Sequence, residues 1–153
     1  MTVNVGYIPV DNLELVWDTV LPLLSSAVER QDDTPLSEVV GEICSGSMLL
    51  WLVDVDHVPT LVLTTKIIDR HSHSTLAIEW VGGSQMKDVI DVALETLEDY
   101  ALKVGCTSLE GQGRIGWGRT LKEYGWETKH IVYRKELRHG QQNEGDEPDV
   151  YHE

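Results

Sequence analysis

The chain reads as an α+β domain, a mixed and mostly antiparallel central sheet with helices on both faces. Three observations predict this. Three runs rich in β-forming residues, 48–55, 60–69 and 75–81, follow one another with only short breaks, as antiparallel neighbours do. Apolar residues at helical spacing stand on either side of that block. After the second helical region a short strand, a short helix and a last strand complete the order.

The chain opens with an extended stretch, 3–10. Asp11 can then cap a helix, with Glu14 closing a capping box. Leu13, Val16, Trp17, Val20, Leu24, Ala27 and Val28 recur at three and four residues, giving one apolar face in a two-stage helix that Pro22 should kink or split. Thr34-Pro35 is a cap followed by proline at a first helical position, and the helix it opens runs to about Cys44, stopped by Gly46. The runs MLLWLVDV and TLVLTTKIID flank Asp56-His57-Val58-Pro59 and read as a hairpin of buried strands. A break at His71-Ser72-His73-Ser74 leads into TLAIEWV, then Gly82-Gly83-Ser84.

A long helix over 85–104 places Val89, Ile90, Ala93, Leu94, Leu97, Tyr100, Ala101 and Val104 inward, and Gly105 ends it as a left-handed cap. A short strand at 108–111, a helix ending at Gly125 and a closing strand over 127–137 (ETKHIVYRKEL) finish the domain. Residues 138–153 carry five acids against one arginine, with no apolar pattern, and form an acidic tail to a single domain over 1–137.

Composition bounds the function. The net charge is -14, from 26 acidic and 12 basic residues, which argues against general binding to a phosphate backbone and reads first as a solvated acidic surface, or else as one that steers cationic partners. The apolar runs are far shorter than the roughly 20 residues needed to span a bilayer. No basic region followed by an apolar core opens the chain, so the expectation is a protein that stays in the cytosol where it is made. Cys44 and Cys106 have no neighbouring ligand set and are expected to be free, small buried hydrophobes. His71 and His73 stand two apart in a turn with no further ligand in sight, so no metal site is expected.

The most informative stretch is 113–126, GRIGWGRTLKEYGW. It reads as a short helix that ends in glycine and feeds a strand, and it resembles the way a GNAT acyltransferase domain closes its acyl-CoA half. The family pattern there is roughly Asn-x-x-Ala-x-x-x-Tyr-x-x-x-Gly-Phe. Counted back from Gly125-Trp126, Arg114, Trp117 and Leu121 stand where Asn, Ala and Tyr would. Tyr124 falls three residues later, about 300° further round a helix. More narrowly, the pieces 48–53, 80–83, 100–106, 113–117, 121–126 and 135–137 resemble small phage-encoded GNAT-like proteins, similar to internal-virion or virion-assembly proteins of short-tailed phages.

The resemblance covers about residues 3–137 and implies a set of site residues. CoA diphosphate would lie on backbone N–H groups at Gly82, Gly83, Ser84 and Gln85, where a helix start favours negative charge. These glycines could equally serve a tight strand-to-helix turn, and Asp88 in the first turn opposes an anion. Glu79, beside the acyl site in the family arrangement, is the candidate base for the acceptor ammonium, or else a solvent-facing acid. Strand alternation places it on the face of Ala77 and Val81. Tyr133 is the candidate acid in place of the missing tyrosine. Arg114, Trp117 and Arg119 have the composition of a binding surface, the alternative being a packed Trp117 with arginines paired to Glu110 and Glu123.

Two functions are therefore expected from the resemblance. One is a GNAT-like phage protein with a degenerate acyl-CoA site and no cofactor, serving as a virion-associated or assembly component in the host cytoplasm or the particle, with other virion proteins as partners and a homo-oligomer also open. The other is an active acetyl-CoA-dependent N-acetyltransferase that modifies a host or phage amine.

Overall fold

A computed structural model describes residues 1–30, 33–113 and 115–137. Five strands, β1 (Val3–Ile8), β2 (Leu49–Val55), β3 (Val58–Asp69), β4 (Ser74–Gly83) and β5 (Ser108–Gly111), form one sheet in sequential order. The first four are antiparallel, and β5 joins β4 in parallel. Helices α1 (Trp17–Glu29), α2 (Leu36–Ser45), α3 (Met86–Lys103) and α4 (Ile115–Lys122) accompany it.

Alternation along the strands divides the core in two. Trp51, Val53, Leu61, Leu63 and Leu76 meet Val89, Ala93, Leu97 and Ala101 of α3 on one face. Leu50 and Val62 meet Val20, Leu24 and Val28 of α1 and Val39 and Ile43 of α2 on the other. The two helical layers therefore sit on opposite faces, as the periodicity of their apolar residues requires. Trp51 anchors the α3 side. Its indole N–H donates to Thr65 Oγ1 at 2.9 Å, and its ring packs edge-on against Tyr7 and Tyr100.

The β2–β3 hairpin turns on Asp56 and His57, with φ of 49° and 67°. Two positive φ values match the right-handed twist of the flanking strands. Helix α3 ends in a Schellman motif. Gly105 takes φ 85° and the Cys106 N–H returns to the Ala101 carbonyl at 2.8 Å. Helix α4 ends the same way, with Gly125 at φ 84° and the Trp126 N–H on the Leu121 carbonyl at 3.1 Å.

Several local expectations are corrected. The first helical region does break in two, but the break falls at Val16, between a 3-10 turn over Val10–Leu15 and α1, while Pro22 stays inside α1 near its middle. There, proline forfeits only one hydrogen bond of the helix. Asp11 caps nothing, since Pro9 precedes the turn without a side-chain cap bond. Pro35 is itself the N-cap of α2, in extended geometry, rather than its first residue. Cys44 is exposed, facing away from the α2 stripe of Val39 and Ile43.

The largest difference is the closing strand over 127–137, which forms no ladder; Ile131, Val132, Tyr133 and Leu137 are exposed. Three consecutive apolar residues, Ile131 to Tyr133, break the alternation that fixes one face on a sheet. The neighbouring end of the sheet order, β5, offers an edge of four residues among the described residues. The stretch 138–153, read as an acidic tail, and Arg114 lie outside the described residues.

Candidate functional site

The strongest local feature is the way β4 leaves its neighbours. On the β3 side Thr64 pairs with Trp80 and Thr65 with Ile78, so Glu79 is the extra residue of a β-bulge. On the other side β5 follows β4 only to Ile78, opposite Gly111. The chain then turns away through Gln112 and Gly113 toward α4, while β4 continues through Glu79 to Gly83, paired with β3 but with no strand on its other side among the described residues. Beyond Ile78 and Gly111, β4 and β5 therefore part in a notch, with the bulge at its apex.

The bulge is held by Thr64. This wholly buried threonine accepts the Trp80 N–H on its hydroxyl at 3.0 Å, satisfying an amide that the irregular ladder would otherwise leave unpaired. The bulge also shifts the phase of the strand. Leu76 and Ile78 join the α3-side core, and so does Val81, an odd number of residues beyond Ile78, whereas Trp80 joins the opposite side. Simple alternation, which put Glu79 on one face with Ala77 and Val81, fails here because Glu79 is the inserted residue. Its side chain is exposed at the bulge.

Beyond the bulge, both glycines are explained by packing. A Cβ on Gly82 would lie 2.0 Å from the Leu23 carbonyl oxygen and 3.1 Å from Ala27 Cβ, so α1 crosses β4 where only a hydrogen fits. Gly83, at φ 123°, would place a Cβ 2.2 Å from the Thr60 carbonyl oxygen, and the Ser84 N–H donates to that carbonyl at 3.1 Å. The cradle a side chain would fill is thus occupied by protein backbone on both sides.

What suits an anion here is the start of α3. Gln85 is the N-cap in a left-handed conformation (φ 60°) and no side chain caps the helix. The Asp88 N–H bonds back to the Gln85 carbonyl at 3.0 Å. The remaining first-turn amides are of the kind a helix leaves for an external acceptor. Lys87 adds an exposed positive charge in the same turn and Asp88 an opposing negative one. The donor chemistry fits a CoA diphosphate through backbone amides and one lysine, without an arginine.

The other predicted residues are dispersed. Trp117 is half-buried, and its Cδ1 would lie 3.2 Å from a Cβ on Gly113, so its ring covers the chain where β5 gives way to α4. Arg119 is exposed and in no ion pair among the described residues. Among the described residues Glu110 pairs with Arg70, not with Arg119. Leu121, at the family tyrosine position, is half-buried and offers no hydroxyl. Tyr124 instead lines a separate cleft at the start of β5. Tyr133 stands exposed on the unpaired segment, next to Arg134, whose guanidinium bonds to Asp33 at 3.2 Å. Among the described residues no three metal-ligating side chains come together, and no helix is long and apolar enough to cross a membrane.

Sequence reasoning missed Thr64, Leu23 and Thr60. A buried Thr64-Thr65 pair inside an apolar run was the available signal for the first. The other two act through backbone carbonyls and carry none.

No protein-family model and no curated protein matches the sequence. Solved structures do match. An aminoglycoside acetyltransferase, meta-AAC0020, from an uncultured soil metagenomic sample is 11% identical with a TM-score of 0.64, covering 89% of this chain and 97% of that one. Glucosamine-6-phosphate N-acetyltransferase from Arabidopsis thaliana is 14% identical with a TM-score of 0.62, covering 90% and 100%. Aminoglycoside N-acetyltransferase AAC(6')-Iy, in complex with CoA, is 13% identical with a TM-score of 0.59, covering 89% and 96%. The likeness is one of fold: this is the GNAT acetyltransferase architecture, a mostly antiparallel five-stranded sheet with helices on both faces.

Proposed function

We propose that this chain is an acetyl-CoA-dependent N-acetyltransferase whose cofactor site is built from backbone rather than from charged side chains. The observation that carries the reading is the notch: β4 bulges at Glu79, parts from β5 at Ile78, and runs into an uncapped helix start. Bound acetyl-CoA would supply the activated acetyl group. The α3 start and Lys87 would hold its diphosphate, by amide hydrogen bonds and the helix dipole. Thr64 fixes the bulge at the apex of the notch, and the exposed Glu79 carboxylate there would accept a proton from an ammonium. The acceptor is a cationic amine, drawn in by the field of a chain with net charge -14. Fold neighbours named as aminoglycoside and glucosamine-6-phosphate N-acetyltransferases support an amine acceptor.

Calorimetric titration with acetyl-CoA and with CoA tests this. Saturable binding at micromolar concentration is expected, and Glu79→Gln should keep that binding while lowering turnover roughly 100-fold. Absent heat, with no thermal shift, would refute cofactor binding, and an unchanged rate would remove Glu79 from proton transfer.

The second reading is a phage virion-associated or assembly component with a degenerate site. Two observations favour it: Leu121 removes the family's hydroxyl, and 131–137 exposes apolar residues that a partner could cover. Arg119 and Trp117 would then act as a contact surface, and charge reversal at Arg119 should weaken assembly irrespective of CoA.

A further inference from the structure

Charge is unevenly spread along this chain. Residues 114–138 carry seven of its twelve lysines and arginines and three of its 26 acids, whereas 139–153 carry five acids and neither lysine nor arginine. The fold brings the two halves of the positive stretch together. Arg119 and Lys122 stand in the last turn of α4, and the chain doubles back beside that helix. The Trp126 N–H donates to the Leu121 carbonyl, and a Cβ on Gly118 would lie 3.5 Å from Thr128 Oγ1. Lys129, Arg134 and Lys135 follow on the returning segment, and all five cations are exposed. Among them Ile131, Val132 and Tyr133 are 55, 71 and 89% exposed, so the surface is apolar as well as basic.

We infer that this basic and apolar surface is a docking site for the chain's own acidic segment, 144–153. The two match in both respects. Five cations meet the five acids Glu144, Asp146, Glu147, Asp149 and Glu153, and Val150-Tyr151 place apolar side chains among them. Attachment at Leu137 makes the encounter intramolecular, at an effective concentration in the millimolar range for a short linker. Sixteen residues from Leu137 to Glu153 reach at most about 55 Å, ample to run along an α4 about 12 Å long.

The rest of the molecule disfavours a longer polyanion. Residues 1–113 carry 18 acids against five lysines and arginines, so a nucleic acid leaving the surface would run onto negative charge. Existing ion pairs compete weakly. Lys129–Glu127 and Arg134–Asp33 join exposed side chains, and among the described residues Arg119, Lys122 and Lys135 are in no ion pair. An acidic partner approaching this surface must displace the segment, which acts as a built-in competitor. Nothing in the contact requires acetyl-CoA.

Paramagnetic relaxation in the full chain tests the contact. A nitroxide is attached at His152→Cys on a Cys44→Ser background, Cys106 being buried, and the amide signals of 119–122 and 129–135 are read by NMR. Loss of intensity at Arg119–Lys122 is expected at low salt, reversed at about 1 M salt, where the Debye length is about 3 Å. Glu144→Gln, Asp146→Asn, Glu147→Gln, Asp149→Asn and Glu153→Gln together keep the tether and alter no residue of 1–137, and the loss at Arg119–Lys122 should then disappear. Equal intensities with the acidic and the neutralised segment would overturn the inference. So would a loss of the same size in isotopically enriched, unlabelled chains mixed with labelled ones, since the surface would then hold the segment of a second copy.

Discussion

Replacing Gly82 by alanine separates the two roles this glycine could have. The added Cβ would sit 2.0 Å from the Leu23 carbonyl oxygen, a backbone atom in the middle of α1. An ordinary carbon–oxygen contact needs roughly 3.2 Å or more, so α1 must retreat by about 1.2 Å along that line. Helix α1 cannot retreat alone, because Val20, Leu24 and Val28 fill the core against Leu50 and Val62. The cost combines overpacking at one point with lost contacts along the helix, about 3 kcal/mol. For a domain of this size that is a fall in Tm of about 6–12 °C. Urea denaturation and thermal melting with and without acetyl-CoA measure it. A Gly82→Ala protein that melts within about 2 °C of wild type would refute the packing argument. If such a protein had also lost cofactor affinity, the glycine would be serving phosphate approach instead.

Two further outcomes follow from the same geometry. Thr64→Val should leave the Trp80 N–H of the bulge without its acceptor, costing about 1–3 kcal/mol in urea denaturation and weakening acetyl-CoA binding; full stability would show that the bulge needs no side-chain support. Burial, and then the charge of Asp69, raise the Cys106 pKa above the usual 9.0, and burial, with Tyr7 and Cys106 nearby, raises that of Tyr100 above 10.0. Both groups are neutral when protonated, so the native state holds these protons more tightly than the unfolded chain. Their contribution is complete below pH 9 and is lost as pH climbs through the raised values, with a slope for Cys106 of at most about 1.4 kcal/mol per unit. Cys106→Ala should flatten the decline between pH 9 and 10, as read by urea denaturation, and an unchanged slope would exclude the thiol.

The sequence by itself determined the order of elements, the two helical layers and most helix ends. Those features are local: a 3.6-residue repeat, a strand run or a terminal glycine acts through neighbouring residues, and Gly46, Gly105 and Gly125 all adopt the left-handed geometry. The Gly82-Gly83 turn was legible too, together with its alternative reading as close packing. What the sequence could not carry was any relation between distant segments. The bulge that aims Glu79 depends on Thr64, and the requirement for Gly82 depends on the backbone of Leu23, which has no side-chain signature. The closing strand had the right composition, but a strand exists only where another backbone presents its hydrogen-bonding groups. Whether 127–137 joins a sheet is decided by which edge it can reach, so that question belongs to tertiary structure and assembly.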